Sequence, residues 1–230
     1  GVVRKAHWGV KPVAVKQMTR NSSEKDRQNF IREAKTMHGI SHPNCVRLYG
    51  ICTSTESLSL VIEWMDGGDL SEMLKNPQCP PLHRRFSLFR QICSGLKYLH
   101  SEKSITHSDI KASNILLSSD FKTAKIADFG LSKMREQGSI ARNSNSNNAN
   151  LNGTIIYLPP EALLEAAHSD RTGDIYAMGC LLWEIVTCKV MWNGMLPALL
   201  ATWTITYWPC LRNRFQLRRM PLRCAVAKRV

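Results

Sequence analysis

Four short stretches of this sequence hold polar residues whose types and order could move a phosphoryl group. VAVK closes an apolar run with the ammonium of Lys16, and the amphipathic stretch that follows carries Glu33. HSDIKASN holds Asp109, with Lys111 two residues on and Asn114 five residues on, ahead of an apolar, strand-like run. AKIADFG supplies Asp128 at the end of an expected strand. Transfer from a nucleoside triphosphate requires a cation on the phosphates, carboxylate or amide oxygens for magnesium, and a carboxylate that orients the attacking hydroxyl. Lys16, steadied by Glu33, would meet the α and β phosphates. Asn114 and Asp128 would hold the metal, Asp109 would take the hydroxyl proton, and Lys111 would neutralise the group in transit. Taken singly, each motif is ordinary: a lysine ending a strand is usually a solvated charge, and Asp-Phe-Gly alone is a turn. Four in this order are not explained that way.

The elements that must position these residues follow from periodicity. Residues 10–18 and 58–64 alternate or carry β-branched side chains and are predicted strands. Between them SSEKDRQNFIREAKTMHGI predicts a helix, with Ser23 and Asp26 as a capping box and Phe30, Ala34 and Met37 on one face. Gly67 and Gly68 interrupt the chain after the second strand. Beyond them the pattern is mostly helical, as in FSLFRQICSGLKYLH with Leu88, Ile92, Leu96 and Leu99 in register. The expected fold class is therefore α+β: a small sheet-rich lobe, a short hinge and a larger helical lobe. Residues 143–152 hold six asparagines and two serines, cannot offset their ordering entropy by burial, and are expected to form a mobile loop. No internal repeat is present.

Composition narrows the classes. At 230 residues the chain can bury a sizeable core. Its eight cysteines form no Cys-x-x-Cys pair and no cluster with histidine at metal-ligand spacing, which points to reduced thiols in an intracellular protein. The net charge of +13 suggests an anionic partner until it is located: eight of the basic residues lie in 189–230, where there is no acid, and +5 remains for 1–188. The basic balance belongs to the tail, and no nucleic acid partner is expected for the folded body.

In order and spacing these motifs resemble the eukaryotic protein kinase family from Gly1 to about Thr187. The resemblance implies a two-lobed protein-kinase fold, incomplete at both ends, with 1–65 as the smaller lobe, 66–188 as the larger lobe and 189–230 as a divergent basic, Trp-rich tail. It implies ATP and magnesium as cofactors, a protein substrate phosphorylated on serine or threonine, signalling adaptors as partners and a cytoplasmic location. LVIEWMDGGDL resembles the adenine-binding hinge, with Ile62 as gatekeeper and the Glu63 carbonyl and Met65 backbone groups facing the adenine edge. Gly1, Val3, Ala14 and Leu116 would complete the nucleotide pocket. Asp69 would cap a helix or reach the ribose, and the cap is preferred. By the same resemblance Leu48, Met37, Phe129 and His107 stack as a regulatory spine. DIYAMGCLLWEIVT is the central helix of the larger lobe, with Asp174 holding the catalytic-loop backbone, and GTIIYLPPEAL carries Pro159, Pro160 and Glu161 at the end of the substrate loop. Lys111 follows the serine/threonine pattern. KIADFGLSK with GTIIYLPPE is most similar to the receptor-interacting kinases of the tyrosine-kinase-like group.

The pattern is broken in three places. Ser108 stands where most kinases carry an arginine that grips an activation-loop phosphate, so activity is expected to depend less on that phosphate. GVVRKAHWG matches only the last third of a glycine-rich loop, with Gly1 as its third glycine, and the chain is expected to be a fragment of a longer protein. After Cys188 the family pattern ends, and Glu161 would lack its arginine partner at a cost of about 3–5 kcal/mol. For the tail, an alternative or out-of-frame ending is preferred over a membrane-associated segment at 190–211 and over a basic segment for nucleic acid or anionic lipid. With both ends missing, a kinase-like scaffold that transfers nothing is the alternative function. Ser139, Ser144, Ser146 and Thr154 are expected phosphorylation sites.

Overall fold

The computed structural model describes residues 2–18, 23–53, 58–131, 133–134, 155–159 and 171–189. The smaller lobe is built on β1 (Val2–Trp8), β2 (Lys11–Gln17), β3 (Leu48–Thr53) and β4 (Leu58–Glu63), an antiparallel sheet in the order β1-β2-β4-β3. Trp8 pairs with Lys11 across a two-residue turn whose first residue, Gly9, takes φ +60°. A primed hairpin turn requires that conformation, and glycine reaches it without strain.

Helix α1 (Glu24–His38) starts where the sequence predicts. The Ser23 hydroxyl accepts from the Asp26 N–H at 3.2 Å and the Asp26 carboxylate accepts from the Ser23 N–H at 3.0 Å, closing the capping box. Phe30, Ala34 and Met37 are buried, and Glu33 lies on the same stripe. The apolar face thus fixes the rotation of α1 and carries a carboxylate inward with it.

The larger lobe contains α2 (Leu70–Lys75), α3 (Leu82–Ser101) and α4 (Arg171–Thr187). Asp69 caps α2 by accepting from the Glu72 N–H at 2.9 Å. Leu88, Ile92, Leu96 and Leu99 form the buried stripe of α3, and it packs on Leu181 and Ile185 of α4 within one core. Four short strands complete the lobe: β5 (Ile105–Thr106) pairs with β8 (Lys133–Met134), and β6 (Ile115–Leu117) with β7 (Ala124–Ile126). The sequence predicts strand at β6 and β7 but not at β5 and β8, nor at β1 and β3 of the smaller lobe. The two-residue ladder of β5 and β8 is too short to show a period, and its residues are held by neighbours rather than by local propensity.

Close backbone approaches tie the lobes together. Val46 N–H donates to Ile126 O at 2.8 Å and Ile126 N–H to Asn44 O at 2.9 Å, stitching the segment after α1 to β7. Glycine is required at position 95 of α3, because a Cβ there would sit 2.7 Å from Asn44 O. At the hinge, Gly67 N–H donates to Leu117 O at 2.9 Å, and a Cβ on Gly67 would lie 2.2 Å from Ser118 O. Gly67 therefore lets the hinge lie close against β6, and Gly68 takes φ +72°, which glycine reaches without strain.

Candidate active site

Lys16, near the end of β2, reaches two carboxylates from different elements. Its Nζ lies 2.7 Å from Glu33 Oε1 on α1 and 3.1 Å from Asp128 Oδ1 beyond β7. Burial by itself disfavours the ammonium, but the two carboxylates prevail and raise the Lys16 pKa. Glu33 is deeper, and there burial outweighs the lysine, so its carboxyl sits above the usual range. Asp128 is half exposed; burial opposes its charge, yet Lys16 holds it below the ordinary value. Asp128 takes φ +61°, outside the region that non-glycine residues prefer. Directly after it Phe129 is fully buried, with its ring edge-on to His107 at a centroid separation of 5.2 Å. Met37 is buried in the same core and Leu48 packs against it.

The loop from His107 to Asn114 is held mainly by Asp174, which is buried in the first turn of α4. One carboxylate oxygen accepts from His107 N–H and the other from Ser108 N–H, both at 2.8 Å, and His100 Nε2 lies 2.7 Å from the first. These bonds bend the chain at Ser108, which takes φ +66°. His107 is wholly buried: its Nε2 donates to Ala127 O at 3.1 Å, and its Nδ1 accepts from Asp109 N–H at 3.3 Å. That pairing requires the neutral ring, and burial lowers its pKa accordingly.

Asp109 is buried within this loop. Its Oδ2 accepts from Lys111 Nζ at 2.8 Å and from Asn114 Nδ2 at 2.9 Å, while Asn114 Nδ2 also donates to Asp109 O at 2.8 Å. Oδ1 is buried with no hydrogen-bond partner among the described residues. A buried carboxylate with one oxygen fully engaged and the other open is poised to accept a hydroxyl proton. Because the Asn114 amide nitrogen is committed to Asp109, its Oδ1 is the atom left for a cation.

On the sheet, Val3 pairs with Lys16, and Ala14 with Ile62, so all four project on one face. Leu116 bridges to Asp69 from below the hinge. Glu63 turns its side chain to Lys125 Nζ at 2.7 Å and to Arg47 N–H at 3.3 Å. Met65 forms no backbone–backbone hydrogen bond among the described residues.

The sequence profile of the protein tyrosine and serine/threonine kinase family matches residues 1–205. The chain belongs to this family. Among individual proteins, this kinase domain is similar to receptor-interacting serine/threonine-protein kinase 2 of Bos taurus, 37% identical over 196 residues, covering 81% of this chain and 35% of the relative. It is similar to serine/threonine-protein kinase CTR1 of Arabidopsis thaliana, 32% identical over 203 residues, 86% of this chain and 24% of the relative. To mitogen-activated protein kinase kinase kinase 7 of Homo sapiens it is 32% identical over 220 residues, 87% of this chain and 34% of the relative. The chain thus spans about a third or less of these curated relatives. The α+β, two-lobed kinase fold expected from the motifs is the fold of this chain.

Sequence reading missed three supports of the loop. Tyr157 accepts from Ala112 N–H at 3.2 Å and donates to buried Glu184 of α4, and burial with that bond pushes its phenol above the ordinary value. His100 and Glu184 interrupt otherwise apolar helix faces, which is the signal that could have marked them. Gly1, Pro160, Glu161, the asparagine-rich segment, the four expected phosphorylation sites and the tail from 190 onward lie outside the described residues. Among the described residues no helix is long and apolar enough to cross a membrane.

Proposed function

We propose that this kinase domain transfers the γ-phosphoryl group of ATP to serine or threonine hydroxyls of protein substrates in cytoplasmic signalling. The observation that carries it is Asp109, with Oδ2 held by Lys111 and Asn114 and Oδ1 open. Asp109 orients the substrate hydroxyl and takes its proton as the new bond forms. Lys111, already on the Asp109 carboxylate, offers its charge to the phosphoryl oxygens. Lys16 holds the ATP phosphates, and Glu33 keeps its ammonium in place. Val3, Ala14, Ile62 and Leu116, with Gly1, enclose the adenine, while the Glu63 carbonyl and Met65 backbone groups read its edge and Asp69 stays a helix cap. Asn114 and Asp128 supply one amide and one carboxylate oxygen, a hard donor set that fits magnesium, which would neutralise the phosphate charge when bound.

Lys111 and the two relatives named as serine/threonine-protein kinases support the hydroxyl class. Residues 1–65 and 66–188 would act as the two lobes, and adaptors would bind outside the cleft; the family match itself runs on to residue 205, beyond the described residues. The test is phosphoamino-acid analysis of a generic basic protein after incubation with Mg-ATP. Label on phosphoserine or phosphothreonine, abolished by chelating magnesium, is expected. Label confined to phosphotyrosine would overturn the substrate class.

A further inference from the structure

Two cysteines far apart in sequence meet at the base of the larger lobe, away from the catalytic loop. Cys79 lies in the link between α2 and α3, and Cys188 directly follows α4. They are 109 positions apart, yet their sulfurs are 3.6 Å from each other, and both residues are half-buried. Arg85, in the first turn of α3, places Nη1 2.8 Å from the Cys188 sulfur. The same nitrogen donates to the carbonyls of Ile185 and Val186 at the end of α4, so the guanidinium is anchored there by the helix terminus.

The backbone adds a second observation. Cys188 N–H donates to Glu184 O at 2.8 Å and Cys188 takes φ +54°, the left-handed position that closes a helix and that glycine fills without strain. A cysteine stands there instead, with its sulfur turned to a second cysteine and to a fixed positive charge.

We propose that Cys79 and Cys188 form a redox-active thiol pair that closes to an intramolecular disulfide when the protein meets a hydroperoxide. Cys188 is the attacking sulfur, since the Arg85 guanidinium lies against it and stabilises negative charge that develops there during attack. Its sulfur attacks the peroxide, an S–O bond forms as the O–O bond breaks, and the leaving oxygen takes the Cys188 proton and departs as water or an alcohol. The Cys79 sulfur then attacks the sulfenic sulfur. An S–S bond forms, the S–O bond breaks, and the hydroxide leaves as water with the Cys79 proton. Two thiols are oxidised and one peroxide is reduced. Burial, with the neighbouring Cys188, pushes the Cys79 thiol up to about 11, which suits the resolving rather than the attacking role. Closing from 3.6 Å to a bond of about 2.05 Å asks for a small side-chain movement. The bridge staples the start of α3 to the end of α4.

The experiment treats the folded protein with hydrogen peroxide, blocks remaining thiols with iodoacetamide, and maps peptides without reductant by mass spectrometry. A linked peptide pair containing Cys79 and Cys188 is expected, lost on adding dithiothreitol and in both Cys79→Ser and Cys188→Ser. In Cys79→Ser, dimedone should label Cys188; in Cys188→Ser it should leave Cys79 bare. The exposed Cys52 and Cys93 report that oxidant was present. Full alkylation of Cys79 and Cys188 after peroxide, or a disulfide joining either to a different cysteine, would overturn the proposal.

Discussion

Lys16 carries the charge balance of the cleft, since its ammonium answers both Glu33 and Asp128. Replacing it, Lys16→Met, should lower phosphoryl transfer about 100-fold or more, in line with loss of a charge aimed at the transition state. The fold should survive, because Glu33 is already biased by burial toward its neutral form and can take up a proton when the lysine is gone. Unchanged turnover would remove Lys16 from the mechanism; circular dichroism checks the fold. His107 makes a pH prediction of definite sign. Its folded pKa lies below the ordinary 6.5, so the unfolded chain binds the extra proton first. The stability it contributes is present above about pH 6.5 and is lost as pH falls below that value. Denaturation midpoints measured between about pH 7.5 and 5 should decline, more shallowly for His107→Gln. At this scale the polar motifs were legible because each is a contiguous string. His100, Tyr157 and Glu184 were not, since a lone polar residue on an apolar stripe shows its partner only once distant helices meet.

Among the elements, α4 matters most to the catalytic loop, because the buried Asp174 in its first turn accepts the N–H groups of both His107 and Ser108. Asp174→Ala leaves those donors unsatisfied and should cost about 3 kcal/mol or more. Activity should fall through kcat with little change in the KM for ATP, and a variant with normal kcat would refute this positioning role. The hinge offers a steric counterpart. Gly67→Ala would drive a methyl carbon to within 2.2 Å of Ser118 O, so the hinge must lift from β6. ATP affinity is expected to drop and the melting temperature with it, as calorimetry can report. Helices α1 and α3 and strands β2 and β4 were readable because each has a cap, a stripe or an alternation of its own. The short strands β5 and β8 carry no such period; neighbouring backbone sets them.

For the whole molecule, the proposed catalysis would depend on one cleft where Lys16 meets Glu33 of α1 and Asp128 beyond β7. Ser108, in place of the usual arginine, has no guanidinium for an activation-loop phosphate, and the bend it makes is held instead by Asp174. Phosphatase treatment is therefore expected to leave the initial rate unchanged, whereas a large loss would show that another residue reads a phosphate. The measurement that bears most directly on the account is transfer of labelled γ-phosphate from Mg-ATP to a basic protein by this chain and by Asp109→Asn, with ATP affinity determined in parallel. Loss of transfer in Asp109→Asn, with affinity retained, is the predicted result. Transfer that persists at the same rate without the Asp109 carboxylate would contradict it.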